Sequence, residues 1–251
     1  QDKQFSEACL RHLVELYEST HEWDKAIRVA LKLLRYDASV GVVVAQLYCE
    51  LAELQNESEQ AEKFYLKARK YDPHCVRAAL ALGRMWYNQG AYRKAQAILI
   101  GILEDDPEFL SEALPLIKAC YEEMDDLGGL IWFLQRGVKE AKSTTAAMML
   151  SEMIAHENGL EAAEQFIQAT LLENPTMLGF HKLMDFHIRT ADMGKARDSL
   201  KMLQRMVQQQ IQQRPKYRCR NCGFSGSTLY WQCPSCRTWG DIKPIIGLDG
   251  E

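Results

Sequence analysis

No stretch of this 251-residue chain approaches the roughly 18 uninterrupted apolar residues that a bilayer-spanning helix requires. Charge of one sign is also missing, since 30 Lys and Arg stand against 34 Asp and Glu, a net −4. That balance excludes a strongly basic nucleic-acid binder, and 47% apolar residues exclude a disordered tail. Proline and glycine are sparse, at seven and fifteen, which leaves room for long helices. No G-x-S-x-G elbow, P-loop or dinucleotide fingerprint is present, so no enzyme motif offers itself. A signal-peptide pattern is absent behind the leading Gln, and the chain reads as a piece of a longer protein.

What the chain does have is a period. Ala26, Ala61, Ala95, Leu130, Ala163 and Ala196 are separated by 35, 34, 35, 33 and 33 residues. Twelve residues after three of them stands a proline, at Pro73, Pro107 and Pro175. Leu10, Leu13, Val14 and Tyr17 form one helical stripe, and Ala26, Ile27, Ala30 and Leu33 form a second after a polar break. A small residue lets two helices approach closely, and proline stops a helix because it lacks an N–H and crowds the preceding turn.

This pattern, fullest at Leu82-Gly83, Trp86, Ala95, Leu99 and Pro107, resembles the tetratricopeptide repeat (TPR). It predicts an all-α TPR superhelix of about six repeats over residues 1–213, near 7–40, 42–74, 76–109, 111–143, 144–176 and 177–210. Repeat four has Leu130 where Ala is usual, and Gly128, Gly129 and Gly137 are expected to restore the space. Trp23, Trp86 and Trp132 are expected in the core. The lone histidines, such as His181, are read as structural.

On the TPR register the first helices turn Arg11, Glu15, Gln46, Glu50, Glu53, Arg77, Arg84, Tyr87, Glu122, Glu152, His181 and Asp185 toward the concave groove. Of these, Arg77, Arg84, Tyr87, Glu50, Glu53, Glu122, Glu152 and Asp185 are the candidate partner contacts. Solvated helix faces would look the same. A carboxylate clamp needs a basic-plus-Asn set, which Arg11/Glu15, Gln46/Glu50 and Leu80/Arg84 do not supply.

The eight cysteines are unevenly spread. Cys9, Cys49, Cys75 and Cys120 stand alone and are expected to be buried thiols in a reducing compartment. Cys219, Cys222, Cys233 and Cys236 form C-x2-C-x10-C-x2-C within 18 residues. Two residues between cysteines make a tight knuckle whose sulfurs can face one ion, with Gly223 supplying the turn. Two knuckles give a tetrathiolate site for one Zn2+ or Fe ion, with no open position for catalytic water. The segment 214–251 therefore resembles a rubredoxin-like metal ribbon.

Arg214, Lys216, Arg218, Arg220 and Arg237 near aromatic residues could read as a nucleic-acid patch. Six cations against three acids leave about +1 once a tetrathiolate zinc is counted, weak footing for phosphates. Phe224, Leu229, Tyr230, Trp231, Trp239, Ile242, Ile245 and Ile246 exceed what two knuckles can bury. The ribbon is thus expected to dock on the array, at the concave face near repeats four to six or on the last helices. The rival is a patch left open for the partner itself.

A TPR array running directly into a C-terminal four-Cys ribbon resembles the lipopolysaccharide assembly protein B family of Gram-negative bacteria. The resemblance implies a non-enzymatic adaptor on the cytoplasmic face of the inner membrane, anchored by an N-terminal helix absent from this chain. It also implies promotion of the degradation of the deacetylase LpxC by the membrane protease FtsH. The rival readings are a rubredoxin-type electron-transfer module or a nucleic-acid-binding zinc ribbon on a TPR scaffold.

Overall fold

The computed structural model describes residues 2–191 and 193–251. Paired helices run along it: α1 (Asp2–Ser19) and α2 (Trp23–Leu33), α3 (Val40–Glu53) and α4 (Ser58–Tyr71), then α5 (Val76–Asn88) with α6 (Tyr92–Ile100) and the short α7 (Ile102–Asp105). The second half holds α8 (Leu110–Glu123) and α9 (Leu127–Ala141), α10 (Thr144–Asn158) and α11 (Leu160–Glu173), and α12 (Met177–Thr190) and α13 (Lys195–Gln213). This is the TPR fold that the period predicts, closed by a small ribbon.

Helix limits follow the local chemistry. Helix α4 ends two residues before Pro73, α7 two before Pro107 and α11 two before Pro175. Three later helices are capped by side-chain oxygens that accept from backbone N–H groups: Asp126 from Gly129 at 2.9 Å, Ser143 from Ala146 at 3.1 Å and Thr176 from Gly179 at 3.1 Å. The last helix stops at Gln213, two residues before Pro215.

Two compact units emerge, one of Gln1–Asp106 with Trp231–Asp241, the other of Pro107–Tyr230 with Ile242–Glu251. In the first, Ala26, Ala30, Val44, Ala45, Leu47, Ala68 and Leu82 are buried together, and Trp239 packs against that core. Gly83 belongs to its tightest crossing: a methyl group there would lie 2.6 Å from Leu99 Cγ. In the second unit, Ala147, Ala163, Ile167, Leu171 and Phe186 form a core cluster. There Gly137 makes the space expected of it, since a methyl would meet Leu110 Cδ2 at 3.0 Å and Ala146 Cβ at 3.2 Å. Gly129 is also crowded, by Tyr121 and Asp126, whereas Gly128 faces open space.

Three expectations fail here. Trp132 is not core but 58% exposed, because the inward face of α9 is carried by Leu130, Phe133, Leu134 and Gly137. Its ring lies under the Arg136 guanidinium instead, 5.2 Å away. Cys9 is exposed, on the outer face of α1, while Cys49, Cys75 and Cys120 are buried as expected. Ala196, the small residue of the sixth repeat, is exposed rather than packed.

The ribbon sheet is antiparallel, with β1 (Tyr217–Cys219) between β2 (Ser225–Gly226) and β3 (Ile242–Pro244). Tyr217 faces Gly226 on one side and Pro244 on the other. Pro244 is tolerated because β3 is an edge strand. The period of two buries Tyr217 and Cys219 while Arg218 points outward.

Candidate metal centre and groove

Each cysteine pair sits in the same backbone loop. In the first knuckle Cys219 N–H donates to the Phe224 carbonyl at 2.7 Å, and Gly223 N–H donates to the Cys219 carbonyl at 3.0 Å. In the second, Cys233 N–H donates to Thr238 at 2.9 Å and Arg237 N–H to Cys233 at 2.8 Å. The residue after each second cysteine is left-handed, Gly223 at φ 78° and Arg237 at φ 61°. Gly223 announces this turn in the sequence. Arg237 does not, because a side chain in that conformation costs about 1 kcal/mol and is rarely chosen.

The four sulfurs all lie within 4.8 Å of one another. A tetrahedral ion with metal–sulfur bonds of about 2.3 Å requires sulfurs about 3.8 Å apart, so the donor set fits one zinc or iron ion. Cys219 and Cys233 are buried, Cys236 is half-buried and Cys222 is exposed. The Thr238 hydroxyl lies 3.1 Å from Cys236 Sγ, a hydrogen bond that would support a thiolate. Four sulfur ligands fill a tetrahedral sphere, which suits a structural ion.

Within each unit the ribbon residues that belong to it pack on helices of that unit. In the first, Trp239 Nε1 donates to Glu18 at 3.0 Å, Gln232 Nε2 reaches the same carboxylate at 3.3 Å, and the Arg77 guanidinium lies 6.0 Å from the Trp231 ring. In the second, the Tyr217 hydroxyl donates to Glu112, Arg220 pairs with Glu108, and Met177 N–H donates to the Leu248 carbonyl at 3.0 Å. Glu251 accepts from Thr145 N–H at 2.8 Å, from the Thr145 hydroxyl at 2.8 Å and from Ser143 at 2.6 Å, at the N-terminus of α10. Docking near repeats four to six is therefore found. The seat on α1 and α5 was not foreseen, since Glu18 lies off the register that the repeat pattern assigns to the groove.

The groove residues fall into three groups. Arg77 is only 4% exposed, donating to Glu53 at 2.7 and 3.0 Å and pairing with Glu50 at 2.9 Å. Gln46, also buried, accepts from Arg77 at 3.4 Å. This set is internal to the fold before it is anything else. Arg84 is exposed on α5, and Tyr87 packs on Tyr92 with ring centroids 5.3 Å apart. Arg11 pairs with Glu7 at 2.9 Å and Asp37 at 2.5 Å, while Glu15 meets His12 at 3.2 Å.

The third group lines a cavity of about 590 Å³ within the second unit. Its walls are Leu127, Leu130 and Leu134 with Met148, Met149 and Met153, and Glu122 and Glu152 stand at its edge. Lys182 is held by Glu152 and by Asp185 at 3.7 Å, and Arg189 joins both carboxylates at 3.0 and 2.8 Å. Arg189 and Lys182 hold the Glu152 carboxyl below the ordinary carboxylate range. Burial lowers His181 on the same α12. Three unbranched thioethers make an adaptable apolar wall, the kind that accepts varied peptide side chains. The methionines give no distinct signal in the sequence, because Met at helical spacing is most often core.

Comparison with known proteins agrees with both parts. Residues 217–244 match a family model described as a rubredoxin metal binding domain, and residues 52–120 match the tetratricopeptide repeat. The chain is 39% identical over 250 residues to lipopolysaccharide assembly protein B of Escherichia coli (strain K12), covering 98% of this chain and 64% of that protein. To the protein of the same name from Haemophilus influenzae it is 36% identical over 247 residues, covering 97% and 62%. The chain thus spans less than two thirds of the curated relatives it matches. Among solved structures, Pseudomonas aeruginosa pilF aligns at 14% identity and a TM-score of 0.44, over 84% of this chain and 93% of that one. No helix among the described residues is long and apolar enough to cross a membrane.

Proposed function

We propose that this chain is the TPR array (1–213) and metal ribbon (214–251) of a non-enzymatic adaptor acting in lipopolysaccharide assembly. Likeness over 98% and 97% of this chain to proteins of that name carries the reading. The Met-lined cavity at Glu122 and Glu152 supports capture of a protein segment, as does the absence of any enzyme motif in the sequence. Asp185 extends that contact surface, and in the first unit Arg84 and Tyr87 offer a separate one, with Arg77, Glu50 and Glu53 shaping it from beneath. The finer reading is that the whole protein works at the cytoplasmic face of the inner membrane. There it presents the deacetylase LpxC to the protease FtsH for degradation. One ion, zinc or iron, holds the ribbon in shape.

The test is reconstitution of LpxC turnover by membrane-embedded FtsH, with and without the full-length protein. Turnover should accelerate with it, and the double variant Met149→Glu with Met153→Glu should lose most of that gain at unchanged helicity. Equal turnover with and without the protein would overturn the FtsH and LpxC assignment. Intact acceleration by the double variant would remove the cavity from it.

A further inference from the structure

Outside the ribbon, Cys49, Cys75 and Cys120 are buried, and the first two touch. Cys49 lies on α3 and Cys75 immediately precedes α5, with their sulfurs 4.0 Å apart in the core of the first unit. The two sulfurs are not equivalent. The Gln46 side-chain amide donates to Cys75 Sγ at 3.8 Å, and its oxygen accepts from Arg77 at 3.4 Å, which brings a guanidinium to this corner. Cys75 also stands at the N-terminal end of α5, where backbone N–H groups without helical partners favour negative charge. Cys49 lies inside α3, where burial dominates and pushes its thiol up. The hydrogen bond from Cys49, the Ala78 N–H and the Arg77 charge together pull the Cys75 thiol below its ordinary value.

We propose that Cys49 and Cys75 form a peroxide-responsive dithiol, with Cys75 the attacking sulfur and Cys49 the resolving one. The Cys75 thiolate attacks one oxygen of hydrogen peroxide and the O–O bond breaks. A sulfenic acid forms on Cys75, and the other oxygen takes a proton and leaves as water. The Cys49 sulfur then attacks the sulfenic sulfur, and its S–H proton departs with the hydroxyl as a second water. The two sulfurs are oxidised, the peroxide is reduced, and the 4.0 Å gap closes to a bond of about 2.05 Å. Access comes from the turn between α4 and α5, where Cys75 directly follows exposed Pro73 and His74. Local opening of that turn admits a molecule as small as hydrogen peroxide without unfolding the core. In a reducing compartment such a bond is transient and signals an oxidant. It ties the first helices of the second and third repeats together beside Gln46 and Arg77, whose contacts extend to Glu50 and Glu53.

The test exposes the intact, metal-loaded chain to stoichiometric hydrogen peroxide, blocks the remaining thiols with iodoacetamide and maps peptides by mass spectrometry. The peptide linked through Cys49 and Cys75 should be the main disulfide, formed with the ion still bound, and dithiothreitol should remove it. In Cys49→Ala, which lacks the resolving sulfur, a dimedone probe should label Cys75. In Cys75→Ala, labelling of Cys49 should be about tenfold weaker. The mapping of the parent chain decides the matter even where a variant folds poorly, and circular dichroism identifies such a variant. Oxidation of exposed Cys9 with the buried pair left as thiols would overturn the proposal. So would a linked peptide that appears only after urea has unfolded the chain. Labelling of Cys49 in Cys75→Ala that equals or exceeds that of Cys75 in Cys49→Ala would overturn the assigned order of attack.

Discussion

The indole nitrogen of Trp239 donates to the carboxylate of Glu18 at 3.0 Å, joining the second cysteine knuckle to the first helix. Burial raises the Glu18 carboxyl above its ordinary value, and the bonds from Trp239 and Gln232 offset part of that. The folded chain therefore binds this proton more tightly than the unfolded one, whose carboxyl titrates at about 4.3. Its contribution favours the fold below that pH and is lost as pH rises through the folded-state value. Glu18→Gln keeps an acceptor for Trp239 and removes the titration. Thermal melts should place it level with or above the parent at pH 7, the gap closing toward pH 4. A parent clearly more stable at pH 7 would contradict this account.

Metal removal gives the second expectation. Elemental analysis and native mass spectrometry should find one ion per chain, zinc as isolated. Cys219→Ser with Cys222→Ser should abolish it and expose the amides of Gly223 and Arg237 to exchange. Because Glu251 caps α10 and Trp239 bonds to α1, the helical transition should also move to lower temperature. A ribbon that keeps its amide protection without metal would refute the site.

The repeat register turns Arg77 toward the groove, and the structure places it on α5. What the repeat register does not carry is depth. Glu50 and Glu53 converge on it from α3, so its truncation leaves two carboxylates without their cation. Arg77→Ala should cost about 2 kcal/mol in urea melts, a buried-pair penalty reduced because Glu53 is half exposed. Arg77→Lys should recover about half, since an ammonium cannot donate in a fork.

Two glycines of the same residue type should answer oppositely. Gly83→Ala drives a methyl into Leu99 and should destabilise by about 1–3 kcal/mol. Gly128→Ala, at an open helical position, should stabilise by about 0.5 kcal/mol. Chemical melts of the two single variants decide it, and a shift of the same sign in both would contradict the packing described.

The contrast marks where the sequence is readable. Periodic Ala, the Asp-Pro stops at 72–73 and 106–107, and the cysteine spacing each follow from a local rule, and each is found. Trp132 misled because its neighbours, not its own size, decide which face of α9 turns inward. Ala196 misled because its burial depends on a helix that does not follow it here. Glu18 gave no signal at all, as an acid near a helix end is ordinarily solvated. Its role arises only when a residue more than two hundred positions away arrives beside it.

That separation has a temporal side. The helical pairs close contacts among residues a few tens apart, whereas Gln232 and Trp239 meet Glu18 across 214 and 221 positions. Short loops close quickly and long ones late, so α1 to α7 can pack while Glu18 is still without its indole partner. Until Gln232 and Trp239 arrive, that face of α1 is open to chaperones or to premature company.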